Sequence, residues 1–291
     1  MPNHITNILT IKGDAEDIKV CLDQIKGSEE DERLMDFNKI VPRPKSLDIT
    51  SSSKVDQAMA IIQNDDEHFR QMMEYPWVKN EGLKSVDELK EYIKRTISEE
   101  EMQEGRLAIE NLKKYGHKDW YGWSNANWGT KWNAYDQQEL EFGTIQFDTA
   151  WSTPYPVMEA LAKKYHNLTF EVKFADEDLG SNCGAYKFEG GQLTGEYIPK
   201  DIDALRFACE IKDIDFRSFI VDNFGYWEID QINKVKEVVG ELIGEGYITE
   251  LLNEVDLATD EGIEKAKFLQ NLAVEIECYE DAAELKKLLG N

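Results

Sequence analysis

Between residues 128 and 151 the chain gathers side chains that could bind a ligand: Trp128, Lys131, Trp132, Tyr135, Asp136 and Trp151. Indole and phenol faces, one ammonium and one carboxylate within a few turns of chain are the materials of a groove for a planar ligand or a peptide. Four of the seven tryptophans, at 120, 123, 128 and 132, fall between Gly116 and Gln138, interleaved with Gly, Asn and Ser. That composition predicts a loop or a short irregular helix. A segment this aromatic must bury itself somewhere, and large aromatics usually enter cores or satellite clusters. The structural reading, in which these rings fold under neighbouring helices and cover a sheet edge, therefore takes precedence on sequence alone.

Other chemistry is thinly supported. Asp148, Asp176, Glu177 and Asp178 are carboxylates of the kind that bind divalent cations. Their spacing lacks EF-hand order, and a solvated turn explains them. His4, His68, His117 and His166 are scattered. His4 lies on the first strand of the expected motif and His166 just before its last, so the two could approach one another, although a surface position for each is the simpler reading. No HExxH, GxSxG or phosphate-cradling glycine loop occurs. Catalytic, cofactor-binding and metal residues are accordingly all assigned as none, and the expectation leans away from an enzyme. Cys21, Cys183, Cys209 and Cys278 form no CxxC pair; this fits a reducing cytoplasm and offers no zinc site.

The elements that position these residues follow from periodicity. Residues 4–11 read as a strand, with Ile5, Leu9 and Ile11 on one face and Asn7 among them. Ile18, Cys21, Leu22 and Ile25 form a helical stripe, which marks Cys21 as core. Residues 34–41 read as a second strand stopped by Pro42 and Pro44. Helical patterns then cover 54–74, 85–97 and 99–115, and Ser98 with Glu101 makes a capping box. Residues 139–150 read as one strand bulged at Gly143. Ser152 or Thr153 is expected to cap a helix beginning at Pro154, with Val157, Met158, Leu161, Ala162 and Tyr165 inside. Residues 168–174 alternate as a half-buried strand, and Gly190-Gly191 marks a hairpin turn.

The predicted fold class is α+β: a ferredoxin-like βαββαβ antiparallel sheet over residues 1–200, with a helical insertion at about 46–118 and an added hairpin. Residues 201–291 are predicted to form an acidic, mostly α-helical domain. Residues 214–227 fit either a short strand or a buried connector. Gly240, Gly244 and Gly246 read as a helix terminus and turn.

Several strings together resemble a known family. They are MPNHITNILTIKGD at the start, FNKIVPRP at 37–44, NWGTKWNAYD at 127–136, FDTAWSTPYPVMEALAKKYHNLTF at 147–170 and the following ADED. They look like the YubB-like family of ferredoxin-like domain proteins from plasmids and phages. His4 stands where that family commonly has an aromatic residue, and Tyr155 where it has a second proline. The resemblance spans roughly residues 1–200 and implies the fold and a mobile-element setting. It implies no reaction, because the family has no established activity.

Charge narrows the partners. The chain carries 33 basic and 58 acidic residues, net −25, of which residues 201–291 hold 9 basic and 22 acidic. Phosphate backbones and anionic membranes repel such a protein, so no direct nucleic-acid binding and no membrane are expected, and a protein partner is. No apolar run reaches a membrane span, and Met1-Pro2-Asn3-His4 lacks the pattern of a secretory signal. The leading expectation is a non-enzymatic interaction module of a bacterial cytoplasm, carried on a mobile element. One alternative is a DNA-mimicking inhibitor of a host DNA-binding or defence protein, built on the acidic C-terminal helices. Another is an enzyme with an unusual site at the Trp-rich segment.

Overall fold

The computed structural model describes residues 3–28 and 31–289. Strand β1 (His4–Lys12) leads to helix α1 (Ala15–Ile25), whose N-cap Asp14 accepts from the Glu16 amide. Ile18, Cys21 and Ile25 are buried as the spacing predicts. The short helix α2 (Phe37–Ile40) follows. A run of helices comes next: α3 (Ser53–Gln63), α4 (Asp66–Met72), α5 (Pro76–Asn80), α6 (Val86–Thr96), α7 (Glu99–Tyr115) and α8 (Trp120–Asn127). Strands β2 (Tyr135–Glu141) and β3 (Thr144–Ala150), helix α9 (Tyr155–Lys164) and strand β4 (Thr169–Asp176) complete the motif. Strands β5 (Gly184–Glu189) and β6 (Gln192–Tyr197) form the added hairpin. The remaining helices are α10 (Asp201–Ile211), α11 (Phe216–Phe224), α12 (Ile229–Lys234), α13 (Lys236–Gly244), α14 (Ile248–Asn253), α15 (Asp260–Glu275) and α16 (Tyr279–Leu288).

The six strands lie in the order β2-β3-β1-β4-β5-β6. The motif β1-α1-β2-β3-α9-β4 is the ferredoxin-like arrangement, and the fold is α+β. Leu168, Phe170, Val172 and Phe174 are buried, in the alternation read from the sequence. Gly190 and Gly191 both have positive φ, 58° and 78°, as a two-residue hairpin turn requires.

Five local readings are corrected. Residues 34–41 are not a strand: they contain α2, so the second strand of the motif is β2 and the helical run separates α1 from it. Residues 139–150 are not one bulged strand. They belong to the antiparallel β2–β3 hairpin, turned at Gly143 (φ 84°). Neither Ser152 nor Thr153 caps α9; Pro154 is its N-cap, without a side-chain bond, and Pro156 occupies the first turn. Residues 214–227 contain a helix, α11, with Ile220 and Phe224 buried. Gly240 lies inside α13, while Gly246, at φ 95°, makes the turn after it.

The chain divides into two compact units. The first comprises Met1–His4, Leu9–Glu171 and Lys187–Thr194; the second comprises Ile5–Ile8, Val172–Tyr186 and Gly195–Asn291. In the first, α3 and α7 pack closely because position 105 is glycine: a Cβ there would lie 2.6 Å from the Ala58 Cβ. Helix α7 opens with the expected capping box, Ser98 and Glu101 each accepting from the other's backbone amide. Phe69, Met72, Val78, Leu89 and Ile93 form a separate apolar cluster beneath α4–α6. In the second unit, Leu205, Ile220, Phe224, Val239, Leu242, Leu269 and Leu285 belong to one continuous core. Lys265, 3% exposed, donates from Nζ to the Gly225 carbonyl at the end of α11 and pairs with Glu261.

Candidate functional site

The Trp-rich segment is built by local rules and then stapled from a distance. Buried Asp119 caps α8 by accepting from the Gly122 amide. The helix ends at Trp128, and Gly129 turns away at φ 76°. Glycine is required there, since a Cβ would stand 2.6 Å from the Pro156 Cδ. Ser152 Oγ donates to the Gly129 carbonyl. The Thr130 hydroxyl serves both backbone groups of Ala150, donating to its carbonyl at 2.8 Å and accepting from its amide at 3.1 Å. Asn133 Oδ1 accepts from the Phe37 amide at 2.9 Å, and its Nδ2 donates to Asp36 at 2.7 Å. These bonds hold residues 128–133 against 36–41 and 150–152.

The tryptophans divide by burial. Trp123 and Trp128 are core: Trp128 is 1% exposed, its Nε1 donates to the Val41 carbonyl at 2.9 Å, and it meets Trp123 and Phe37 edge-on. Trp120 and Trp132 are half-buried. Trp120, Trp128 and Trp132 wall an open cavity of about 580 Å³, whose other lining includes Arg33, Arg43, Lys131, Asp48, Asn38 and Asn133. Arg43 stacks over Trp128 at 5.2 Å, binds Asp48 through Nε (2.9 Å) and Nη2 (2.5 Å), and donates from Nη1 to Ser124 Oγ at 3.2 Å.

Of the residues singled out by sequence, Trp128, Lys131 and Trp132 line this cavity. Trp151 joins them from the side. Lys131 Nζ lies 4.7 Å from the Trp132 ring centre and 4.8 Å from that of Trp151. Trp151 is 42% exposed and has φ 71°, a left-handed backbone that bulky residues rarely adopt. Its amide donates to the Asn3 carbonyl. Tyr135 packs edge-on against Trp132 but gives its hydroxyl to other partners, the Thr149 carbonyl at 3.2 Å and His4 Nδ1 at 2.8 Å. One hydroxyl proton cannot serve both, so Tyr135 donates to Thr149 when His4 Nδ1 carries hydrogen and to His4 when it does not. Asp136 is exposed and outside the cavity lining.

Sequence reasoning missed Arg33, Arg43 and Trp120 as lining residues. Arg43 carried one signal: it stands between Pro42 and Pro44, whose fixed φ angles present a side chain on a stiff backbone. The acidic turn after β4 also differs from expectation. Asp176 is 5% exposed and accepts from the Asp178 amide and Asn182 Nδ2, so it organises the turn and is not a solvated carboxylate. Among the described residues, no group of three or more His, Cys, Asp or Glu could hold a metal ion, and no helix is long and apolar enough to cross a membrane.

Fold and cavity thus describe a ferredoxin-like α+β protein with an aromatic-walled, partly cationic recess. In sequence, residues 127–215 match the family model described as the ferredoxin-like domain in Api92-like protein. Among solved structures, the crystal structure of protein Api92 from Yersinia pseudotuberculosis is similar at a TM-score of 0.34 and 10% identity, over 68% of this chain and 99% of that one. No curated protein matches the chain.

Proposed function

We propose that this chain is a non-enzymatic binding module and that its site is the Trp-walled cavity. The observation that carries the reading is the lining: half-buried Trp120 and Trp132 beside guanidinium, ammonium and amide groups, in a volume of about 580 Å³. Pockets of roughly 300–1,000 Å³ with aromatic walls and a few placed polar groups are the usual form of small-ligand sites. The test is a thermal-shift screen of planar metabolites against wild type and Trp132→Ala, with mass spectrometry of each ligand after incubation. A shift lost in the variant, with the ligand unchanged, is expected. No compound with a Trp132-dependent shift would overturn the binding reading. Conversion of the ligand would favour the enzyme alternative.

A second reading rests on the 9 basic and 22 acidic residues of 201–291. An ordered stripe of these carboxylates would let the helices imitate DNA phosphates and occupy a DNA-binding protein. Charge-neutralising Glu→Gln changes on α13 and α15 should then abolish capture of such a partner while leaving ligand binding at the cavity intact. A bacterial cytoplasmic setting, a protein partner, YubB-like membership and a plasmid or phage origin are part of the proposal. So is the division at residue 200 between a ferredoxin-like and a helical domain.

A further inference from the structure

We infer that the cavity takes an anion carrying a flat ring, and assign it to a free nucleoside phosphate; this rests on the binding reading above. Charge comes first. On a chain of net −25 the cavity is lined by three cations, Arg33, Arg43 and Lys131, against one carboxylate, Asp48; Arg33 is paired with Asp31 at its rim, 3.2 Å away, so Lys131 is the cation without a carboxylate among the described ion pairs. Asp48 is already taken, receiving Arg43 Nε and Nη2 on one oxygen. Lys131 is held instead by the faces of Trp132 and Trp151. A recess of opposite sign to the rest of the molecule focuses anions from solution.

Donor geometry comes next. A guanidinium has five N–H groups. Three of those of Arg43 are used, on Asp48 and Ser124, so two remain beside the Trp128 ring. With its plane fixed by stacking and by Asp48, Arg43 is preorganised for phosphate oxygens. Trp120 and Trp132 supply the stacking surface, because every nucleobase has a π-face and stacking needs no particular base.

The amides set the limits of selectivity. Asn133 spends Oδ1 on the Phe37 and Ala134 amides and Nδ2 on Asp36. Asn38 spends Oδ1 on the Arg43 amide and Nδ2 on Asp36. Each amide keeps one Nδ2 hydrogen and no uncommitted oxygen, too little to tell one base edge from another, so the site recognises ring plus phosphate and discriminates weakly among bases.

The test is calorimetric titration of the full chain with adenosine 5′-monophosphate, adenosine, inorganic phosphate and a short single-stranded DNA. The monophosphate is expected to bind at least tenfold more tightly than adenosine or phosphate, and cytidine 5′-monophosphate within about fivefold of it. Lys131→Gln should cost about tenfold for the monophosphate and nothing for adenosine, and Lys131→Arg should restore it. Trp132→Leu should weaken both, with its thermal midpoint recorded to show that it folds. Equal binding of adenosine overturns the anion assignment but leaves the binding module standing. Equal binding of phosphate removes the ring. Tighter binding of the oligonucleotide overturns the free nucleotide as occupant. Failure of all four overturns the inference, and the planar-metabolite screen then decides separately whether the cavity binds anything.

Discussion

The side-chain amide of Gln137 pairs with both backbone groups of Met35: Oε1 accepts the Met35 amide at 2.7 Å, and Nε2 donates to the Met35 carbonyl at 2.9 Å. A strand neighbour would make the same two bonds. Met35 is fully buried, so its backbone needs partners, and a glutamine from β2 supplies them. The chain between α1 and the Trp cavity is thereby fixed without joining the sheet.

Replacing Gln137 by Leu should therefore orphan a buried donor and acceptor, lowering stability by about 2 kcal/mol in urea unfolding. Gln137→Glu adds a pH signature. A carboxylate facing the Met35 carbonyl is disfavoured, which raises its folded-state pKa. The stabilising, protonated form is fully present below the unfolded value and is lost as pH rises through the folded one. The stability gap to wild type should thus widen from pH 4 to pH 7; a constant gap would refute the pairing.

Gly129→Ala should destabilise by more than 1 kcal/mol, since the alanine would sit at φ 76° with its Cβ 2.6 Å from Pro156. Because Gly129 lies between Trp128 and Lys131, the variant should also change the tryptophan emission spectrum of the folded protein. Gly82→Ala is the control: it shares the positive φ but faces open space.

Alkaline stability should depend on Cys21. Burial pushes its thiol from the ordinary 9.0 up to about 12. The folded state keeps a proton that the unfolded state releases, so this contribution is whole below about pH 9 and lost as pH rises towards 12. Cys183 and Cys209 are raised by burial in the same direction. Cys21→Ala should flatten the fall of the urea midpoint between pH 9 and 11. In the native protein Cys278, the one thiol not fully buried among the four, should react first with a thiol reagent.

Ser98→Ala should cost about 1 kcal/mol through loss of the capping box. The Ser98 backbone amide holds the Glu101 carboxyl below its ordinary 4.5. Its contribution is present above that value and disappears as pH falls through the lower folded one, so Glu101→Gln should reduce the acid sensitivity of unfolding at the start of α7.

Where local chemistry alone decides an element, the sequence predicts it. The Ser98–Glu101 box, the Gly190-Gly191 turn and the alternation from Leu168 to Phe174 all need only neighbours in the chain. Residues 34–41 mislead for the opposite reason. Their apolar alternation is real, with Met35 and Phe37 both fully buried, but the Met35 backbone groups and the Phe37 amide are paired with the side chains of Gln137 and Asn133, far along the chain. The candidate site divides in the same way. Trp128, Lys131 and Trp132 stand out because they cluster in sequence. Arg33 and Arg43 reach the same recess from far earlier in the chain, and a single arginine leaves no periodic trace. Which tryptophan becomes wall and which becomes core depends on distant partners, such as the Val41 carbonyl for Trp128.

The placement of the helical run between α1 and β2 also bears on how the chain folds during synthesis. The Ile11 amide at the end of β1 bonds to the Gly143 carbonyl in the β2–β3 turn. At about 5–20 residues per second, a ribosome takes on the order of ten seconds to deliver Gly143 after Ile11. For that interval β1 has its apolar face made and no hairpin to pair with, while α3–α7 have already emerged with a cluster of their own. The whole helical run is thus outside the ribosome before the sheet it interrupts can close, and β1 is the segment that waits longest for its hairpin partner.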